Sequence, residues 1–135
     1  MKKITFLFLL ISCIGFAQVT TTPAIPLAEG AVTINFDKAG TPLATTTAIY
    51  AHIGLTVDGT RWSNVKGTWG TTNAPLLTLV SGTTYKLDLT PDLYTYFGVA
   101  TSSAITEICL VLRNAAGTAQ TSPDIFIKVG AFKQH

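Results

Sequence analysis

The chain has 135 residues, of which 47% are apolar, and carries a formal net charge of +2. Lys2 and Lys3 account for that whole excess, so the rest of the chain is balanced and offers no basic footprint for nucleic acid or for an anionic membrane surface. Two cysteines, two histidines and seven scattered acidic residues leave few partners for catalysis or metal binding.

The first segment, "MKKITFLFLLISCIGFAQ", sets two lysines before an apolar run from Ile4 to Phe16 and ends in small residues. That order predicts a secretory signal peptide over residues 1–17 with cleavage after Ala17. The run falls short of the roughly 20 residues that a membrane-spanning helix needs, so no transmembrane segment is expected. A competing reading takes "LISC" as a lipoprotein signal with Cys13 acylated. Removing residues 1–17 leaves enough chain for one domain with a single core, and Cys109 as the sole cysteine. Stability must then come from packing.

Residues 18–30, "QVTTTPAIPLAEG", lack a sustained period and predict an extended leader. From there to residue 130 the chain alternates with period two, and residues 131–135 form a short tail. In "VTINFD" the residues Val32, Ile34 and Phe36 share one parity; in "YKLDL" Tyr85, Leu87 and Leu89 do; in "DIFIKV" Ile125, Ile127 and Val129 oppose Phe126 and Lys128. Each is the mark of a half-buried strand. "LLTLV" at 76–80 predicts another, and "AITEICLVLR" reads as a central strand in which Cys109 is a small buried apolar residue. Turn signals at "KAGTP", Asp58-Gly59, Ser81-Gly82 and "NAAG" separate these runs. In "TPDLYTYFG", Thr90 suits a cap and Pro91 a first helical position, predicting one short helix. The sum is an all-β domain, an immunoglobulin-like antiparallel β-sandwich of about seven strands with one short helical turn.

The most informative stretch is "IYAHIGLTVDGTRWSNVKGTWG", residues 49–70, which holds both tryptophans of the chain. Read as a strand, Ile49, Ala51, Ile53, Leu55 and Val57 form the core face. Tyr50 and His52 then stand side by side on the opposite face. After the Asp58-Gly59 turn, the polar "TRWSNVKGTWG" reads as a loop or irregular edge strand folding back, which brings Trp62 towards them. Flat amphipathic rings left in water invite a ligand. A pyranose suits them, because its C–H face packs on an aromatic ring while its hydroxyls bond to imidazole, phenol or indole groups. For Trp69, between Gly67 and Gly70, core packing is an equal alternative.

No nucleophile elbow, paired carboxylates or Cys/His metal spacing is present, so no enzyme and no cofactor are expected. Loop oxygens near Asp37 or Asp58 are the positions available to a structural calcium.

The succession "VTINF", "YAHIG", "RWSNVKGTWG", "YKLDLTPDLYTYFGV", "LRNAAG" and "DIF" resembles, over nearly all of residues 31–130, the starch-binding carbohydrate-binding modules found beside secreted bacterial α-amylases. The resemblance implies a β-sandwich that binds α-glucan without hydrolysing it, through two ring-bearing side chains alternating on one strand and a tryptophan about ten residues later. Tyr50, His52 and Trp62 match those positions, and Trp69 matches more loosely. No amylase domain follows in this sequence, so non-catalytic binding by a secreted or cell-surface protein is the expectation. The alternative is a structural or adhesive domain whose aromatic patch meets another protein.

Overall fold

A computed structural model describes residues 18–131; the expected signal peptide, Cys13 and all but the first residue of the 131–135 tail lie outside the described residues. Eight strands run in the order β1 (Val19–Thr22), β2 (Val32–Asp37), β3 (Tyr50–Val57), β4 (Thr60–Lys66), β5 (Thr78–Ser81), β6 (Thr84–Leu89), β7 (Ile105–Arg113) and β8 (Ile125–Lys128), with helix α1 (Leu93–Phe97) between β6 and β7. They form two four-stranded sheets, ordered β1-β2-β6-β5 and β4-β3-β7-β8, in which every paired strand is antiparallel. The protein is an all-β sandwich.

Alternation does what the sequence implies. Val32, Ile34 and Phe36 of one sheet meet Ile53, Leu55, Ile108, Leu110 and Leu112 of the other, all with almost no exposed surface. Burying each such side chain contributes about 1.5–3 kcal/mol. β3 and β7 pair along their full lengths, from Tyr50 opposite Arg113 to Val57 opposite Ile105, so they are the spine of the second sheet.

Three local readings are corrected. The stretch 18–30 is not only a leader: Val19–Thr22 pair with Phe36–Thr33 as β1, which makes eight strands rather than seven. Threonine is β-branched and suits an edge strand whose backbone bonds do not depend on side-chain period. The helix is capped by Asp92, whose carboxylate accepts from the Thr95 amide at 2.7 Å, and not by Thr90, so Pro91 lies outside it. In "LLTLV" only Thr78 onward joins β5. Leu77 donates its amide to Ile49 O, and Ala51 donates to Pro75 O, so residues 75–77 lie along the start of β3 in the other sheet. Among the described residues no helix is long and apolar enough to cross a membrane.

The β3–β4 hairpin is irregular in a way that shapes the site. Leu55 faces Ser63, while Ile53 faces Lys66 and Val57 faces Thr60, so β4 holds one extra residue on each side of Ser63. Each extra residue is a bulge, and each coincides with a left-handed backbone: Trp62 at φ 60° and Asn64 at φ 55°. These bulges swing β4 over the outer face of β3, where Gly54 leaves room. A Cβ at position 54 would lie 2.9 Å from Ser63 O and 2.9 Å from Val65 Cγ2. Gly54→Ala is therefore expected to lower unfolding free energy by about 1–3 kcal/mol through overpacking. Urea unfolding checks this, and an unchanged midpoint would show that β4 does not press on position 54.

Candidate functional site: an aromatic row on the outer face of one sheet

Because successive strand residues point to opposite faces, the outer face of the second sheet carries Tyr50, His52, Gly54 and Thr56 from β3. Their register partners Arg113, Val111, Cys109 and Glu107 stand beside them on β7, and Phe126 of β8 lies opposite Cys109. This face is not simply open to water. Cys109 is wholly buried and Val111 and Thr56 nearly so, yet neither Cys109 nor Val111 belongs to the inter-sheet core. They make a second, smaller buried patch outside that core.

Its cover is a chain of rings. His52 sits 5.4 Å from Trp62, centroid to centroid, with the planes inclined at 39°, and 5.3 Å from Trp69 in an edge-on arrangement at 84°. Trp62 continues to Phe126 at 6.2 Å and 67°. The Arg61 guanidinium lies 3.7 Å above the Phe126 ring and forms a two-point pair with Glu107 at 3.0 and 3.2 Å. Hydrogen bonds from Arg61 and then Thr56 hold the Glu107 carboxyl below its ordinary value. At the other end Arg113 stands 5.3 Å from the Trp69 ring and 5.6 Å from the Tyr50 ring. Such pairs favour inclined or edge-on geometry over flat stacking. The rings therefore form a tilted cradle rather than a flat plate.

Arg113 organises this end. It is fully buried, and it donates from Nη1 to Asn114 O (2.9 Å) and Ala115 O (3.1 Å), and from Nη2 to Thr68 O (3.0 Å) and Thr71 O (2.9 Å). One guanidinium thus ties the 68–73 loop, which bears Trp69 and is closed by Thr68 N donating to Asn73 O, to the 114–119 loop. Gly117 completes the contact. At φ 75° it lies against the indole so closely that a Cβ there would fall 2.5 Å from Trp69 Nε1. Two buried polar atoms, Arg113 Nε and His52 Nδ1, have no hydrogen-bond partner among the described residues.

All four residues singled out from sequence come together: Tyr50, His52 and Trp62 are half-buried, and Trp69 is 40% exposed. Phe126, Arg61 and Arg113 are the members that sequence reading assigned no role. The parity of "DIFIKV" placed Phe126 outward, and that of "CLVLR" placed Arg113 beside Cys109, so both signals were present. Cys109 has the buried position expected of it. Among the described residues no three histidine, cysteine or acidic side chains gather as a metal group. The Asp37 carboxylate accepts from Thr83 and Ala39, and Asp58 from the Ala104 amide. No protein-family model matches this sequence, and no curated protein matches it either.

Burial, followed by the Arg113 charge, holds the His52 imidazole below its ordinary value of 6.5, with Asp124 pulling weakly the other way. A depressed folded value means that the unfolded chain takes up the proton first. The stability tied to neutral His52 is thus full above 6.5 and is lost as pH falls through the lower folded value. Between about pH 7.5 and about pH 5, the thermal midpoint of the wild type should fall further than that of His52→Gln. Parallel pH curves for the two proteins would contradict a neutral, buried His52.

Proposed function

We propose that the outer-face cradle binds the surface of a polysaccharide, with α-glucan as the ligand that its shape favours, and that the protein acts without catalysis. The observation that carries this reading is the junction at His52, whose ring lies 5.4 Å from that of Trp62 and 5.3 Å from that of Trp69 on the outer side of the sheet. Inclined rings suit a curved chain, because successive sugar residues present their C–H faces at changing angles. Each stack contributes on the order of 1 kcal/mol. His52, the Tyr50 hydroxyl and the indole N–H groups supply hydrogen bonds at the rim. Two or three such contacts correspond to roughly micromolar to millimolar binding. The left-handed backbone of Trp62 supports a ligand role, since strain of that kind collects where a side chain must be aimed. Secretion or surface display, read from the signal-like N-terminus, fits a polymeric ligand outside the cell.

One observation favours a second reading. Leu76 pairs with Tyr50, so its side chain shares the outer face, and it is 52% exposed, more than Trp69. An aliphatic side chain at the rim suits a protein contact better than a sugar. In that reading the protein is an adhesive or structural surface domain.

Trp62→Gly separates the two. Glycine accepts the left-handed backbone at this position, so the fold is kept while the ring is lost. In affinity electrophoresis through amylopectin the wild type should be retarded, and Trp62→Gly should migrate as it does without polysaccharide. Wild-type mobility unaffected by a panel of polysaccharides would overturn the glycan reading and leave the protein-contact one.

A further inference from the structure

Two buried polar atoms, Arg113 Nε and His52 Nδ1, have no hydrogen-bond partner among the described residues, and both belong to the outer face. Their side chains are neighbours there. Tyr50 and His52 stand two residues apart on β3, and Arg113 is the register partner of Tyr50. Tyr50 flanks the guanidinium and Trp62 flanks the imidazole, but Trp69 lies against both, 5.3 Å from the His52 ring and 5.3 Å from Arg113 Cζ. One indole covers the pair.

The two atoms make opposite demands on whatever meets them. Arginine keeps its proton, so Nε–H is a donor that needs an acceptor. The four bonds that clamp the loops leave from Nη1 and Nη2, so Nε is free of that duty. The imidazole is neutral near pH 7, because burial and then the Arg113 charge hold it below its ordinary value. Beside a cation a lone pair is favoured over an N–H, which places the ring proton on Nε2 and makes Nδ1 an acceptor that needs a donor. A carboxylate or phosphate answers the arginine but sets its own lone pairs against Nδ1, and an ammonium does the reverse. Hydroxyls both accept and donate. Two adjacent hydroxyls of a pyranose meet both demands, on a ring whose C–H face packs against the indoles alongside.

Both atoms are buried, so a ligand reaches them only if their cover lifts. Trp69 is the part free to do so. Its indole is 40% exposed, whereas Trp62 is half-buried on β4 and packs on Phe126. Thr68 O and Thr71 O stay bonded to Arg113 Nη2, so the backbone on either side of Trp69 is held and side-chain rotation alone uncovers the pair.

We propose that Arg113 Nε–H and His52 Nδ1 form a covered subsite for two adjacent hydroxyls of one sugar unit, and that Trp69 swings out to admit them and closes on the face of that unit. This rests on the glycan reading of the same face and narrows it. The ligand is a neutral, hydroxyl-bearing ring, and residue 69 is a gate as well as a stacking surface.

The test uses the full chain, labelled with heavy nitrogen or with fluorotryptophan and titrated with maltohexaose. The Arg113 Nε–H and His52 Nδ1 resonances should both shift, Nδ1 moving upfield as its lone pair accepts a hydrogen bond. The Trp69 fluorine signal, assigned by its loss in Trp69→Phe, should move at the same midpoint. His52→Phe keeps a ring in the row and removes the acceptor, so it should bind about five- to tenfold more weakly. An amide also donates and accepts but has no ring face for the indoles, so acetamide should leave both resonances in place. Maltohexaose binding with the two nitrogens unmoved, or with undiminished affinity in His52→Phe, overturns the subsite and leaves the glycan reading standing. Absence of maltohexaose binding also overturns the subsite, and the glycan reading falls with it only if amylopectin fails to retard the protein. Shifts produced by acetamide and not by the sugar overturn the subsite as well, and assign the pair to a peptide group.

Discussion

A buried guanidinium that has no carboxylate partner among the described residues is the constraint on which the outer face depends. Arg113 ends the central strand of its sheet and has no exposed surface, so its charge is solvated by what the chain supplies: four carbonyl oxygens and the faces of Tyr50 and Trp69. Desolvation pushes its pKa down from the ordinary value, but arginine keeps its proton in any such setting. The planar fork of N–H donors is what allows one side chain to hold two loops at once. Lysine would carry the same charge without that geometry. Position in the register then matters: opposite Tyr50 at the sheet's end, Arg113 reaches loop carbonyls on either side, and Trp69 is held as a consequence.

The rest of the row follows from two further departures from regular sheet. Bulges at Trp62 and Asn64 fold β4 across the outer face, and Gly54 accommodates the approach. Without them, Trp62 would stand on an edge strand away from His52. The cluster beneath the rings, Cys109 and Val111, is small but fully desolvated, so the rings are fixed by packing as well as presented to solvent. A surface that is both packed and partly open is preorganised, and the binding proposed for it would cost little ordering free energy.

Much of this was legible in the residues, for identifiable reasons. Period-two alternation is strict in β2 and β6 and gives β3 an aliphatic core face, so half-buried strands and the outward placement of Tyr50 and His52 follow from it directly. The short helix was legible too, but its cap was not, because Thr90 and Asp92 are both capping residues and only the backbone geometry chooses between them. β1 escaped notice because edge pairing rewards backbone bonds more than side-chain pattern. The roles of Phe126 and Arg61 depend on a contact between β4 and β8, strands far apart in sequence and brought together only by the bulges. Arg113 was the hardest to read: an arginine closing an apolar strand looks like a solvated end, and its burial is decided by two loops that curl back over it.

The direct test of the Arg113 clamp is native-state amide exchange in Arg113→Lys, followed in both loops at once. The clamp predicts that the Thr68, Asn114 and Ala119 amides, which close the two loops through Asn73 O, Ala119 O and Asn114 Oδ1, exchange together at least about tenfold faster than in the wild type, while the β2 and β6 amides hold their protection. Wild-type protection in both loops of the lysine variant would contradict it, and would mean that the loops, and Trp69 with them, hold their places without the guanidinium.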